Sequence, residues 1–296
     1  MERALQHPVE IRRIDHIVVA VRDLDEAGDF YCRLGFQVGT RNEHPWGTEN
    51  RLIQFGSSFI ELITIGTHAN LIAPHDTRRF SFGAFIGDYL QQREGLAMLV
   101  LSSDNAQRDA ALFADTGIGD FEIFSFERNG VMPDGTKTRV AFSLAFARDS
   151  NAPEAGFFVC QQHLPENFWD SRFQQHANGA SNISAVTLTA AVPERHVAFF
   201  TAFTGAEKHY HSSGKYTFAL NGGQIELRHD MHARQPLLTS FTVQVADIHA
   251  MASMLAVEKI PFTNSEDMLV ISRSSAFGTE IRFEYASTAG HWNTRI

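Results

Sequence analysis

The chain has 296 residues, more than one core usually holds, so two domains of about 150 residues are expected. Apolar residues make up 44 % and charged residues 20 %, which excludes a disordered chain, and a net charge of −9 without a basic run removes the electrostatic drive for binding nucleic acid. Cys32 and Cys160 are too few for a disulfide framework, no stretch reaches about 18 apolar residues, and Met1 to Arg13 has charges but no apolar signal core. A cytoplasmic protein, neither secreted nor membrane-bound, is therefore expected.

Ile14 to Val21 is a β-branched run and predicts a strand. It leads into Asp23 with Glu26 three residues on, a capping-box-like helix start, and Leu24, Ala27, Phe30, Tyr31 and Leu34 follow at helical spacing up to Gly35. Phe36 to Thr40, Asn50 to Phe55 and Phe59 to Ile65 read as short strands, so the order is β, α, β, β, β.

Thr67 to Gly95 separates this module from the next. Its Phe82, Phe85, Ile86, Tyr89 and Leu90 share one helical face, which predicts a crossover helix covering the sheet, with a mobile lid as the alternative. The βαβββ pattern returns over 95–163: Leu96 to Leu101, a helix from Asp104 to Thr116, then strands at Phe121 to Phe126, Arg139 to Phe146 and Gly156 to Cys160, with a long turn inserted from Asn129 to Lys137.

Gln161 to Asn182 is polar and aperiodic and predicts the connection between domains, with the boundary near Asn178. A third module over 182–230 has a helix opened by Pro193 and closed at Gly205. A fourth, over 237–286, has Asp247 before its helix and Pro261 after it. Four copies, two per half, form an internal repeat, and each copy has an apolar sheet face that must close against another. The expected fold is α+β: an N-terminal domain, 1–178, and a C-terminal domain, 179–296, each a cupped mixed sheet with flanking helices.

DHIVVAVRDLDEAGDFYCRLGF, HPWGTEN and FIELI together resemble the first module of glyoxalase-like proteins of the vicinal-oxygen-chelate superfamily, which includes the glyoxalases, bleomycin-resistance proteins and dioxygenases. The second half resembles it more weakly. The resemblance implies metal ligands on the first and last strands of each module. In module one these positions are His16 and Glu61, a pair suited to a divalent metal, whether Mn, Fe, Ni or Zn. In module two the first-strand position is Ala97, which cannot ligate, and the last strand reads FFVCQQH. Two registers are open there: Cys160 and Gln162 face the cup, or Gln161 and His163 do, and His163 is taken as the candidate third ligand. In modules three and four the matching residues are Ser184 and Ser240, with Glu226 and Glu284. An extradiol dioxygenase would need histidines where the serines stand.

Glu61 lies in an otherwise apolar strand, where an unpaired charge is costly, so it should face a wet cup or a cation. Trp46, Asn50 and Arg51 in the stretch after the helix are candidate substrate contacts, as are Arg139, able to bind a carboxylate, and Gln161. His176 and Asn178 lie in the connecting segment, where polar residues are expected for solubility alone. His209 and His211 could share one strand face but lack a third ligand and read as surface residues.

What the resemblance implies for function is a metal-dependent lyase or isomerase acting on a small oxygen-chelating substrate in the N-terminal cup, with Glu61 moving the proton. The alternative is a metal-free protein of the bleomycin-resistance type that sequesters an aromatic ligand; a purely interacting scaffold would use neither metal nor ligand. The expected partner is a small molecule. The chain is expected to act as a monomer or homodimer, since its four modules already pair among themselves.

Overall fold

The computed structural model of the chain describes residues 11–131, 137–211, 214–265 and 267–286. Each half builds one curled, mixed, eight-stranded sheet. The first contains β1 (Ile14–Ala20), β2 (Asn42–Glu43), β3 (Thr48–Gln54), β4 (Phe59–Ile65), β5 (Gly95–Ser102), β6 (Phe124–Val131), β7 (Lys137–Ala147) and β8 (Gly156–Gln162), in the order β2-β3-β4-β1-β5-β8-β7-β6. The second contains β9 (Ala180–Ala190), β10 (Lys208–His211), β11 (Lys215–Leu220), β12 (Gly223–His229), β13 (Leu237–Val245), β14 (Thr263–Ser265), β15 (Met268–Ile271) and β16 (Glu280–Tyr285). Its order, β10-β11-β12-β9-β13-β16-β15-β14, repeats the first sheet strand for strand. The fold is α+β, with two domains of the vicinal-oxygen-chelate type.

Within each sheet the two modules meet through antiparallel first strands, β1 with β5 and β9 with β13, and the last strand of each module lies parallel to its first. The helices are α1 (Leu24–Arg33), α2 (Phe82–Gln92), α3 (Ala106–Asp115), α4 (Val197–Thr204) and α5 (Ile248–Val257). Three of the four module helices start on an Asp or Asn whose side chain accepts from backbone N–H groups of the first turn: Asp23, Asn105 and Asp247. Module three opens instead with a 3₁₀ turn, Pro193–His196, and its helix stops at Gly205, where φ is +72° and glycine is favoured.

The alternation written in the strands divides their side chains between two cores. Ile17, Val19, Ile60, Leu62, Leu99 and Phe157 face the helices and share one core with the second sheet. Phe157 packs against Phe199, Phe200 and Phe203 of module three, with ring centroids 4.7, 5.5 and 5.6 Å away. Two buried polar contacts cross the same junction: Asp149 Oδ2 lies 2.6 Å from His196 Nδ1, and Arg12, paired with Asp109, donates through Nε to the Phe203 carbonyl. The opposite residues, Val18, Ile63, Met98, Phe142 and Phe158, face the hollow of the first sheet, and α2 closes part of that hollow.

The structure differs from the sequence reading in places. Phe36 to Thr40 is not a strand; Gly39 N–H bonds to the Leu52 carbonyl at 2.8 Å, and the chain reaches the ladder only at β2. The insertion from Asn129 to Lys137 lengthens the β6–β7 hairpin, whose central residues, 132–136, lie outside the described residues, as does most of the Met1 to Arg13 segment. Among the described residues no helix is long and apolar enough to cross a membrane.

Candidate ligand-binding cup

The hollow of the first sheet holds a cavity that opens to solvent. Its wall is mostly aromatic: Trp46, Phe59, Phe126, Phe142, Phe158 and Phe168 all contribute. Phe168 comes from the segment after β8, which passes over the sheet and is pinned there by Gln54 Nε2 donating to the Phe168 carbonyl at 2.9 Å.

The polar groups gather at one side. Parallel pairing of β1 with β4 sets Val18 opposite Glu61, so period two brings His16 and Glu61 to the same face, with His16 Nε2 3.9 Å from Glu61 Oε2. Asn50 Nδ2 donates to Glu61 Oε1 at 2.5 Å. A bulge in β1 between Ile14 and His16 lets the Asp15 carboxylate reach the ring it precedes: Asp15 Oδ1 is 2.7 Å from His16 Nδ1. Gln162 Nε2 donates to Asp15 Oδ2 at 2.9 Å, and Trp169 Nε1 donates to Gln162 Oε1 at 2.9 Å, so the carboxylate is held from behind.

A neutral His16 ring that donates Nδ1–H to Asp15 presents Nε2 as an acceptor toward the cup, beside the Glu61 carboxylate. The His16 ring stacks on Phe59 at 4.2 Å, which fixes its plane. His44 stacks on Trp46 at 4.5 Å and bonds Thr48 Oγ1 at 2.8 Å; burial lowers its pKa, outweighing the opposing pull of Glu61, and keeps the imidazole neutral. Arg128 on β6 completes the polar side. Burial lowers its pKa too, against the attraction of Glu61.

A glyoxalase-like domain model matches residues 14–204, which takes in the whole first sheet and the start of the second. The chain belongs to the glyoxalase-like family. No curated protein matches it in sequence. Solved structures share the fold of this glyoxalase-like protein at low identity. A hypothetical protein from Staphylococcus aureus superposes with a TM-score of 0.66 at 14 % identity, covering 93 % of this chain and 100 % of its own. A mutant of 4-hydroxymandelate synthase from Streptomyces coelicolor gives 0.54 at 12 %, covering 95 % of each. BphC, a halotolerant catechol dioxygenase, gives 0.56 at 9 %, covering 94 % of this chain and 87 % of its own.

Of the residues singled out from sequence, this glyoxalase-like cup brings together His16, Glu61, Trp46 and Asn50. The other four lie elsewhere. Arg51, next to Asn50, points to the helix side and pairs with Asp25 on α1 at 2.5 Å. Arg139 is exposed and pairs with Glu127 at 2.7 Å. The β7–β8 ladder is regular from Ala147↔Phe157 to Phe142↔Gln162, so alternation runs unbroken from Phe158 to Cys160 and turns Gln161 and His163 away. Gln161 Oε1 accepts from Ala106 N–H at the start of α3, and His163 is exposed, 2.8 Å from Ser143 Oγ. His176 and Asn178 do structural work: His176 accepts from Gln37 N–H and donates to the Gln54 carbonyl, while Asn178 donates to the Leu34 carbonyl. His209 and His211 lie on β10 and are exposed.

Catalytic metal sites of the zinc kind use three protein ligands and leave one position open. Here His16 Nε2 and Glu61 Oε2 face one another; His44 also lines the cavity, but its Nδ1 lies 2.8 Å from Thr48 Oγ1 and its Nε2 3.3 Å from Asn50 Nδ2. Ala97 supplies none, and Cys160 is kept a neutral thiol by burial and by the charges of Asp15 and Glu61. Among the described residues no group of three or more His, Cys, Asp or Glu is arranged to hold a metal ion. The facing pair falls one short of the three-ligand pattern.

The sequence reading missed Arg128, Asp15 and Phe168. Arg128 was legible in principle, because Phe124, Phe126 and Arg128 alternate on one face of β6. The turn-like Arg128-Asn129-Gly130 hid the continuation of that strand. Asp15 required knowledge of the bulge.

Proposed function

We propose that the protein binds a small aromatic ligand in its N-terminal cup without a resident metal, as the bleomycin-resistance members of its superfamily do. One observation carries this reading: an aromatic cavity whose polar side presents the His16 imidazole edge and the Glu61 carboxylate 3.9 Å apart, without a third ligand beside them among the described residues. An aromatic body would stack within the phenylalanine wall, and a hydroxyl would donate to Glu61 or His16. The test is quenching of tryptophan fluorescence by phenolic probes, with metal content measured on protein purified without a metal-chelating tag. Saturable quenching by metal-free protein, lost in Glu61→Leu, is expected. About one Mn, Fe, Ni or Zn per chain, lost in His16→Ala, would overturn it.

A second reading, a metal-dependent lyase or isomerase, is favoured by the Asp15–His16 contact, since ligating histidines commonly give their other ring N–H to a carboxylate. The same metal analysis decides between the two. The dioxygenase chemistry named for one structural neighbour, BphC, has little support in this chain, where serines stand at the two first-strand positions of the second sheet and Lys215 and Arg228 neutralise Glu226.

A further inference from the structure

Arg128 lies beside this cavity without a close ion pair, the Glu61 carboxylate acting on it only at longer range. Other arginines withdrawn from solvent are paired: Arg12 with Asp109, Arg51 with Asp25, Arg93 with Glu154 and Arg282 with Glu280. Arg128 has no hydrogen bond or ion pair to any described residue, although it is half-buried between the cup and the adjoining groove lined by Gln54, Thr138 and Asn167. Withdrawing a guanidinium from water without a partner is costly, and such a group commonly serves an incoming anion. A second donor is idle nearby. The Trp46 indole N–H is buried with no partner among the described residues, in the wall shared with Phe124 and Phe126, which like Arg128 project from β6.

The polar groups of the cup therefore ask for opposite things. His16 Nε2 and Glu61 accept protons or hydrogen bonds; Arg128 and Trp46 donate them. Because Glu61 faces the same cavity, a dianion such as a phosphate monoester would meet a like charge, whereas a single negative charge is matched by one guanidinium. A planar carboxylate also fits the guanidinium fork through two parallel N–H···O bonds.

Resting on the proposed metal-free cup, we infer that its ligand is a hydroxylated aryl carboxylate, with Arg128 as the residue that selects the carboxylate, the Trp46 N–H assisting, and the hydroxyl directed to Glu61 and His16. The acid end lies toward β6 and the hydroxyl end toward β1 and β4.

The experiment titrates the full-length protein, by fluorescence and calorimetry, with 4-hydroxybenzoate, 4-hydroxyphenylacetate and 4-hydroxycinnamate and with the neutral amide of each. At least one acid is expected to bind ten-fold or more tightly than its amide. Arg128→Met should weaken the acid by ten-fold or more, and by more than it weakens the amide, so that the preference is lost, and Arg128→Lys should retain part of it. Circular dichroism confirms that the variants fold. Equal binding of acid and amide by the wild type, or a preference that survives Arg128→Met, overturns the assignment of Arg128 and leaves the cup standing. Failure of every acid and amide to bind at millimolar concentration overturns the phenolic-ligand cup, and this inference with it.

Discussion

Glu61 and Glu226 occupy the same place in the two sheets, each on the strand parallel to its module's first strand, opposite Val18 and Thr187 respectively, yet their surroundings are opposite. Glu226 is enclosed by Lys215 Nζ at 2.5 Å, Arg228 Nη2 at 2.7 Å and Arg282 Nη1 at 3.8 Å, with Gln224 also donating. Glu61 has Asn50 as its hydrogen-bond donor and a histidine edge 3.9 Å away. Duplication has left one carboxylate compensated by its own chain and the other facing a cavity.

The compensated site should be visible in acid. For Glu226 burial pushes the pKa up, but Arg228 and Lys215 more than offset it, and the net direction is down from 4.5. A depressed carboxylate pKa stabilises the fold fully above the unfolded value and loses that contribution as pH falls through the folded one. Urea unfolding of Glu226→Gln should show a loss of about 1–2 kcal/mol at pH 7, reduced from a fully buried pair because Lys215 and Arg228 are partly solvated. The difference from wild type should shrink below pH 4. A constant difference down to pH 3 would mean that packing, not charge, is what Glu226 supplies.

His176 predicts pH dependence in a higher range. Burial lowers its pKa from 6.5, against the effect of its bond to the Gln54 carbonyl. Its neutral form accepts from Gln37 N–H and donates to Gln54 O, tying the interdomain connection to β3. In the unfolded chain the ring protonates as pH falls below 6.5, so the stabilisation present above that pH is lost on the way down to the folded value. His176→Gln, able to keep one donor and one acceptor, should flatten the stability profile between pH 7 and 5. An unchanged slope would remove His176 as its source.

At the junction between the sheets, Asp149 and His196 are each 2 % exposed and 2.6 Å apart. Removing one partner strands the other in the shared core. Asp149→Ala is expected to cost about 1–3 kcal/mol in chemical unfolding, as a buried partner left unsatisfied does. A loss below 1 kcal/mol would show that the histidine is satisfied by other means.

The two cysteines should differ in reactivity. Cys32 is exposed on α1, whereas Cys160 is buried and its pKa is pushed well above 9.0 by burial and by the negative charges of Asp15 and Glu61. The thiolate is the reactive form. One thiol per native chain should react rapidly with a disulfide reagent and two after unfolding; rapid labelling of both in the native state would place Cys160 in contact with solvent.

How much of this the sequence carried depends on face and register. His16 and Glu61 were legible from the family resemblance, with period two putting both on one face, and Trp46 and Asn50 from the resemblance of the stretch that holds them. The same rule argues against Arg51, since neighbours on a strand face opposite sides, and Asn50 had already claimed the cup. Arg139 fails likewise, on the outward face with Ser143 and His163. His163 and Gln161 turned on a one-residue register that only the pairing of β8 with β7 decides. The partnerships that separate Glu61 from Glu226 depend on residues brought in from other strands, which no local pattern reveals.

The last prediction separates function from stability at the two equivalent glutamates. A 7 %-exposed carboxylate with one hydrogen-bond donor is a costly feature in a free protein, and sites kept for ligands commonly carry such a cost. Glu61→Gln keeps the size of the side chain, still accepts from Asn50, and gains an N–H that can donate to His16 Nε2. It should leave the free protein as stable as wild type or raise its stability by about 1 kcal/mol, while weakening binding of phenolic ligands by ten-fold or more. Glu226→Gln should do the reverse, lowering stability and leaving binding unchanged. If thermal unfolding shows Glu61→Gln falling as far as Glu226→Gln, with binding intact, then Glu61 is a structural residue of the sheet and the cup is read from the wrong side.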